Sequence, residues 1–227
     1  MRKCISLGLA LLIASPILLR LGATPSSSGP GFPAPRVQDW LLVPGKRAGP
    51  ITRMTSEQDL RKLFAERDIE RASLYWAEEE YDGTRVYPKE PGKQIEVFWE
   101  SDTKRDVIRA IRVCGTEPSR WHSAEGITLG VSLGLLERLN GRPFKVRGFW
   151  QDGGGFVSSW EGGKLANWEI SPVRLGSWTR TKTVDDPRSK DVDLGEYLST
   201  DAKLRALEVR VTEIWVEFDS AGPSTEN

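Results

Sequence analysis

The pentapeptide Gly130-Val131-Ser132-Leu133-Gly134 matches the G-x-S-x-G nucleophile elbow, in which a sharp turn lifts a serine hydroxyl toward a general base. The base must then come from the single histidine, His122, which precedes the serine instead of following it as that order requires. A serine at a helix N-terminus, accepting from free backbone N–H groups, accounts for Ser132 without catalysis. We therefore expect no catalytic residue, with a Ser132/His122 hydrolase as the rival. Metal chemistry has less to draw on. One histidine and two cysteines, Cys4 and Cys114, exclude every Cys/His zinc spacing. The acidic groups Glu78, Glu79, Glu80 and Asp82, and Asp185, Asp186, Asp191 and Asp193, lack the Gly-punctuated spacing of a calcium loop. No metal or cofactor is expected. Gly153-Gly154-Gly155 and Gly162-Gly163 lack the Lys-Ser/Thr of a phosphate-cradling loop and read as hairpin turns. Cys114, in an apolar run, reads as a small buried hydrophobe.

Nine tryptophans are the compositional excess, and Trp76, Trp99, Trp121, Trp150, Trp160, Trp168 and Trp178 fall in or near strands. Rows of aromatic faces bind sugars, and large rings also fill a thin helix-on-sheet core. Core filling is the expectation, and exposure of several coplanar rings would distinguish the two.

The elements that must position these residues begin with an echo. Ile51-Thr52, Ser56, Leu60 and Leu63 recur at identical spacing as Ile127-Thr128, Ser132, Leu136 and Leu139. Two related supersecondary units, about 37–120 and 121–218, are the reading. In the first, 37–43 is a strand ended by Pro44-Gly45. A helix follows with Thr55 and Gln58 at capping-box spacing and Leu60, Leu63 and Phe64 on one face. Strands are predicted over 73–77, 93–99 and 107–114, the last apolar on both faces and hence central. Glu78 to Gly83 and Lys89 to Gly92 read as turns. In the second unit a helix starts near Ser132, shows Leu135, Leu136 and Leu139 on one face, and stops at Asn140-Gly141. A meander over 145–151, 156–160 and 164–170 comes next, then a polar, turn-rich stretch over 175–192. The final strand slips its alternation, which predicts a β-bulge near Thr212-Glu213. The fold class expected is α+β, with two helices on one antiparallel sheet built from both units.

Residues 1–23 read as a secretory signal. Arg2 and Lys3 precede an apolar run from Ile5 to Leu19 that Pro16 interrupts, too short for a membrane span, and cleavage fits after Ala23. No cysteine follows the run, so lipidation is not expected. Residues 24–36 (TPSSSGPGFPAPR) form a Pro/Ser/Gly linker, and 219–227 a disordered tail. Cleavage removes Arg2, Lys3 and Arg20 and no acid, so a chain balanced at 32 basic and 32 acidic residues becomes slightly acidic. That balance argues against nucleic acid and anionic membranes as partners. With one cysteine left, stability must come from burial, and a domain of this length removes roughly 70% of its unfolded surface from water.

Trp40-Leu-Leu-Val-Pro-Gly-Lys-Arg-Ala-Gly-Pro-Ile-Thr52, Gly126-Ile-Thr-Leu-Gly-x-Ser-Leu133 with Leu139-Asn-Gly-x-Pro-Phe144, and Gly148-Phe-Trp-x-Asp152 with Ser159-Trp-x-Gly-Gly-Lys-Leu165 resemble an uncharacterised family of exported bacterial proteins, several of them lipoproteins. The resemblance spans about residues 38–218 and implies export, with no activity attached. More distantly, tandem helix-and-sheet units resemble β-lactamase-inhibitor-protein-like interaction modules, an analogy of fold alone. The expected function is a non-enzymatic extracytoplasmic binding or scaffold protein, periplasmic or extracellular, with an envelope or extracellular protein as partner. A carbohydrate-binding module using exposed tryptophans is the alternative. Trp150, Asp152, Trp160 and Lys164, all within the resembling segments, are the candidate binding residues.

Overall fold

The computed structural model describes residues 39–76, 79–177 and 183–218, all within one unit. The signal, linker and tail assigned from sequence lie outside the described residues, as do Glu78 and Trp178. Three short strands, β1 (Leu41–Val43), β2 (Arg47–Ala48) and β3 (Ile51–Thr52), lead to α1 (Glu57–Leu63). Four longer strands follow: β4 (Ile69–Trp76), β5 (Glu79–Val86), β6 (Ile95–Trp99) and β7 (Ile108–Cys114). Then come β8 (His122–Ser123), α2 (Leu133–Asn140), β9 (Lys145–Arg147), β10 (Val157–Ser159) and β11 (Val173–Gly176). The chain ends with β12 (Glu196–Leu198), α3 (Ala202–Ala206) and β13 (Arg210–Glu217). The fold is α+β and mostly sheet. Among the described residues no helix is long and apolar enough to cross a membrane.

The main sheet has six strands in the order β11-β13-β7-β6-β5-β4, every neighbouring pair antiparallel. β7 is central, as its two apolar faces require, and β6 is buried at all five positions. The bulge also falls where the broken alternation puts it. Arg174 pairs with Glu213 and the next residue, Leu175, with Val211, so Thr212 is the extra residue on β13. One face of this sheet carries the large core, in which Leu60 of α1, Leu136 of α2 and Leu204 of α3 are each fully buried.

Equal tandem units do not emerge. The strands divide into sheets of four, three and six, and the largest takes four strands from residues 69–114 but two from 173–217. What the echo encodes is local. Ser56 and Ser132 are both N-caps, accepting from Asp59 and Leu135 respectively, and Ile51, Ile127, Leu60 and Leu136 are all fully buried. The first cap sits one residue later than Thr55 because the Thr55 hydroxyl is occupied, accepting from the Thr52 amide at 2.9 Å. On α2 the buried face is Leu133, Leu136 and Asn140, whereas Leu135 is exposed.

Three local readings are corrected. The acidic run from Glu79, read as a turn, is the start of β5, paired residue for residue with β4. The stretch 164–170 is not a strand but contains a 3-10 turn at Ala166–Trp168, whose ring is buried. The stretch read as turn-rich from Leu175 holds the end of β11, and α3 was not anticipated.

The β4–β5 hairpin positions the site described next. β5 pairs with β6 only through Thr84, Arg85 and Val86, while its pairing with β4 runs on to Glu79. Beyond Gly83 the hairpin leaves the sheet plane and folds over the second face, where Leu74, Trp76 and Tyr81 pack with Phe98, Ala110 and Trp215. Glycine is required at the departure point, since a Cβ there would lie 2.3 Å from Leu74 Cδ1 and 2.8 Å from the Val97 carbonyl oxygen.

Candidate functional site

Alternation in β6, β7, β13 and β11 sends a polar and aromatic set to the second face of the six-stranded sheet. Glu96 stands opposite Arg112, Arg112 opposite Trp215, and Arg174 opposite Glu213. Glu70 and Arg85 extend the series outward, Arg85 donating to Glu70 and Glu96, each at 3.1 Å. The result is a row of cross-strand ion pairs in which Glu96 is shared between Arg85 of β5 and Arg112 of β7, while Glu70 pairs with Arg85 and Glu213 with Arg174.

Arg112 is the best-defined member. Its Nε donates to Glu96 Oε2 at 2.8 Å, its Nη1 to the Tyr75 carbonyl at 2.8 Å, and its guanidinium lies 5.2 Å from the Phe98 ring centroid and 5.0 Å from that of Trp215. Burial opposes its charge, but Cys114, Glu96 and Glu213 outweigh burial and raise its pKa. The Cys114 thiol donates to Glu96 Oε2 at 3.6 Å, and burial together with that carboxylate pushes its pKa up to about 12. Cys114 is half-buried and turned toward the Glu96 carboxylate, so it is not the fully buried small hydrophobe that its apolar run predicts. Arg174 repeats the pattern one strand out. It donates to Glu213 Oε1 at 2.7 Å and to the Gly154 carbonyl at 2.8 Å, and covers Phe156 at 5.4 Å.

These groups floor a cleft of about 470 Å³ between two overhangs. One wall is the end of the folded hairpin, Tyr75 and Trp76. The other is the Gln151–Gly154 turn with Phe156. The turn is locked by the Gln151 side chain, which donates to the Gly195 carbonyl at 2.7 Å and accepts from the Gly195 amide at 3.2 Å. Gly155 permits the approach of this turn to β11, because a Cβ there would stand 2.3 Å from the Leu175 carbonyl oxygen at a φ of +81°.

The candidate residues read from sequence separate. Asp152 lines the cleft. Trp150, 47% exposed, adjoins it through Gln151, with its indole N–H donating to Ser189 Oγ at 3.0 Å. Leu194, also exposed, follows Asp193, whose carbonyl accepts from the Trp150 amide. Trp160 is 1% exposed and packs against Phe144 at 5.2 Å, and Lys164 lies along Gly141 at the end of α2. Neither lines the cleft.

Ser132 and His122 are not bonded to one another. Ser132 caps α2 and bridges to Arg210, while His122 pairs with Leu41 in the four-stranded sheet and its Nδ1 lies 2.8 Å from the Arg120 carbonyl oxygen. Among the described residues no three His, Cys, Asp or Glu side chains gather into a metal-binding group. Asp82 pairs with Arg105 at 2.6 Å, and Asp186 caps the turn at Pro187–Val192.

Glu96, Arg112, Arg174, Glu213 and Trp215 were not singled out from sequence. The available signal was a lone charge inside an otherwise apolar strand, as in Ile95-Glu96-Val97-Phe98-Trp99. Comparison with family models, with curated proteins and with solved structures finds no match.

Proposed function

We propose that the protein is a non-enzymatic extracytoplasmic binding or scaffold protein that engages a protein partner at the cleft on the second sheet face. The observation that carries this reading is the composition of the cleft. Arginines held by carboxylates and rings form its floor, a 61% exposed Tyr75 and Trp76 form one wall, and a 47% exposed Trp150 directly precedes the Gln151–Gly154 turn of the other. Tyrosine, tryptophan and arginine are the residues on which protein interfaces concentrate their affinity. The extracytoplasmic part rests on the Arg2-Lys3 and Ile5–Leu19 signature alone, and kinship with the exported family on the quoted segments.

The sugar reading has less support. CH–π contact with a pyranose needs free ring faces, but Trp76 lies between Arg109 at 4.8 Å and Trp215 at 5.0 Å, and Trp99, Trp121, Trp160, Trp168 and Trp215 are buried. The hydrolase reading lacks a bonded serine and histidine. A photo-crosslinking residue placed at Tyr75 or Trp150 in the exported protein should give a discrete protein adduct in its native envelope. The same group at exposed Lys203 on α3 should not. Equal labelling at all three positions, or none at the first two, would refute a partner site here.

A further inference from the structure

We propose that Arg105 is the positioning residue of the cleft: by holding Asp82 it fixes the angle at which the β4–β5 hairpin leaves the six-stranded sheet, and with it the separation of the Trp76 wall from the Gln151–Gly154 turn. The consequence for binding rests on the partner-site reading above; the placement of the wall does not. Arg105 lies in the connection between β6 and β7 and is 3% exposed, the only buried arginine among the described residues. Its backbone is left-handed, with a φ of +49°. A non-glycine residue holds that conformation at a cost and persists in it only where its surroundings over-determine it, often beside binding and switch sites. A connection shaped for stability alone would place glycine there, and an apolar group in the space the guanidinium fills.

The surroundings of Arg105 come from three parts of the frame. Its amide donates to the Ser101 carbonyl at 3.0 Å and its Nε to the Asp102 carbonyl at 2.8 Å, which closes the loop on itself. Its carbonyl accepts from the Glu57 amide at 2.9 Å, tying the loop to the start of α1. Its Nη1 donates to Thr84 Oγ1 at 3.4 Å, and the same hydroxyl accepts from Trp99 Nε1 at 3.0 Å. The guanidinium is thus fixed in the frame of the sheet. Nη2 stands 2.6 Å from Asp82 Oδ2 and makes no hydrogen bond elsewhere among the described residues.

Asp82 is where the hairpin needs a directional hold. Thr84 is the last residue of β5 paired with β6, and beyond it β5 pairs with β4 alone. Contact of Leu74, Trp76 and Tyr81 with Phe98, Ala110 and Trp215 draws the hairpin onto the second face, but apolar attraction is non-directional and sets no angle. Asp82 alternates with Thr84 and shares its side of the strand, across Gly83 from the last sheet pair. Among the described residues its bond to Arg105 is the one ion pair joining the hairpin beyond Gly83 to the rest of the chain. Arg71 stands opposite Thr84, before the departure, and its pair with Glu57 is screened at 62% exposure. Arg109 and Arg112 meet the far end only at ring faces and the neutral Tyr75 carbonyl. From Asp82 to Glu79, the partner of Trp76, the strand runs about 10 Å, so a tilt of about 20° at Gly83 would carry the wall by about 3–4 Å.

The test is a pair of nitroxide labels across the cleft, at Glu80→Cys on the hairpin and Asp152→Cys on the turn, in the full chain with Cys4→Ser and Cys114→Ser, read by double electron–electron resonance. We expect one narrow distance. Asp82→Asn, a change at a 57% exposed side chain that empties no core, should shift or broaden it by about 3–4 Å. Asp82→Glu keeps the charge and should retain most of the narrow population. Arg105→Lys keeps a charge but loses the fork that spans the Asp102 carbonyl and Asp82, and should broaden the distance as well. Glu70→Gln, which frees Arg85 in the sheet-bound half of the hairpin, should leave it narrow. A distribution in Asp82→Asn that matches the parent, or equal broadening by Glu70→Gln, would overturn the proposal. Binding is read separately: with the crosslinking residue at Trp150, Asp82→Asn should lower the discrete adduct several-fold. An undiminished adduct beside a broadened distance would overturn the part given to Arg105 in the site, whereas no adduct in the parent would remove the partner reading and leave the labels to decide the placement of the wall.

Discussion

Replacing Glu96 by alanine removes the carboxylate on which the second sheet face is organised. Its side chain is 6% exposed and accepts from Arg112, itself 14% exposed, and from Arg85 at 26%. Breaking a buried pair by deleting one partner costs about 3–5 kcal/mol, because the surviving charge is left unpaired in a poor solvent. That range applies in full only to Arg112. Arg85 is partly solvated and keeps Glu70 at 3.1 Å, so its loss is screened toward the small values of surface pairs. We therefore expect Glu96→Ala to cost about 3 kcal/mol. Glu96→Gln keeps an acceptor oxygen but loses the charge, and should cost about 2 kcal/mol. Denaturant melts followed by tryptophan emission give the numbers and also report the site, since the Trp215 ring lies 5.0 Å from the Arg112 guanidinium. Pairing Glu96→Leu with Arg112→Met should recover most of the loss, as apolar replacement of a buried ion pair commonly does. A cost under about 1 kcal/mol for Glu96→Ala would show that Arg112 is held by its two rings and the Tyr75 carbonyl alone, and that the row of ion pairs does not organise the face.

Leu60→Ala and Leu136→Ala should each destabilise by about 2–5 kcal/mol in the same melts, both side chains being fully buried; a cost below about 0.5 kcal/mol for either would contradict its place in the core. Ser132→Ala should cost about 1 kcal/mol, the value of a helix cap, and an esterase and peptidase screen should give the same null result before and after the change. Turnover in the wild type that disappears in a normally melting variant would restore the nucleophile reading. Burial raises the pKa of Glu217 above the ordinary 4.5, with Arg109 opposing. Its neutral form is favoured in the folded state, so folding loses stability as pH rises from 4.5 toward the raised value. Glu217→Gln should accordingly be more stable than wild type at neutral pH and lose that advantage in acid; an unchanged Tm difference across the series would refute the burial argument.

The parts of the fold legible in sequence are those fixed by short-range rules. The Ser132 cap, the Gly141 helix stop with its φ of +78°, the central position of β7 and the bulge at Thr212 follow from capping, left-handed backbone and alternation, which a few consecutive residues suffice to specify, whereas the first cap, expected at Thr55, falls one residue later at Ser56. The failures share a cause. Glu79 to Asp82 has the composition of a turn, and becomes strand because Trp76, Tyr81 and Leu74 gain a second apolar surface to cover. Contact across the sheet thereby overrides local preference. Similarly, Ala166–Trp168 alternates well enough for a strand, but the Asn140 side chain reaches across to accept from the Leu165 amide at 3.2 Å, and the backbone turns there.

The candidate site was less legible for a related physical reason. Trp150 and Asp152 could be picked out as aromatic and acidic residues beside glycines, but whether they share a surface with anything depends on the Gln151 clamp to Gly195, forty-four positions away. Trp160 looks equivalent in sequence and is buried, because Asn140 Nδ2 donates to its carbonyl at 3.0 Å and draws the chain inward. The arginines that floor the cleft stand in strands whose spacing predicts only that one face is polar. What makes that face a candidate site is the hairpin folding back across it at Gly83, which turns an ordinary row of cross-strand ion pairs into a walled cleft where guanidinium and ring are held in register.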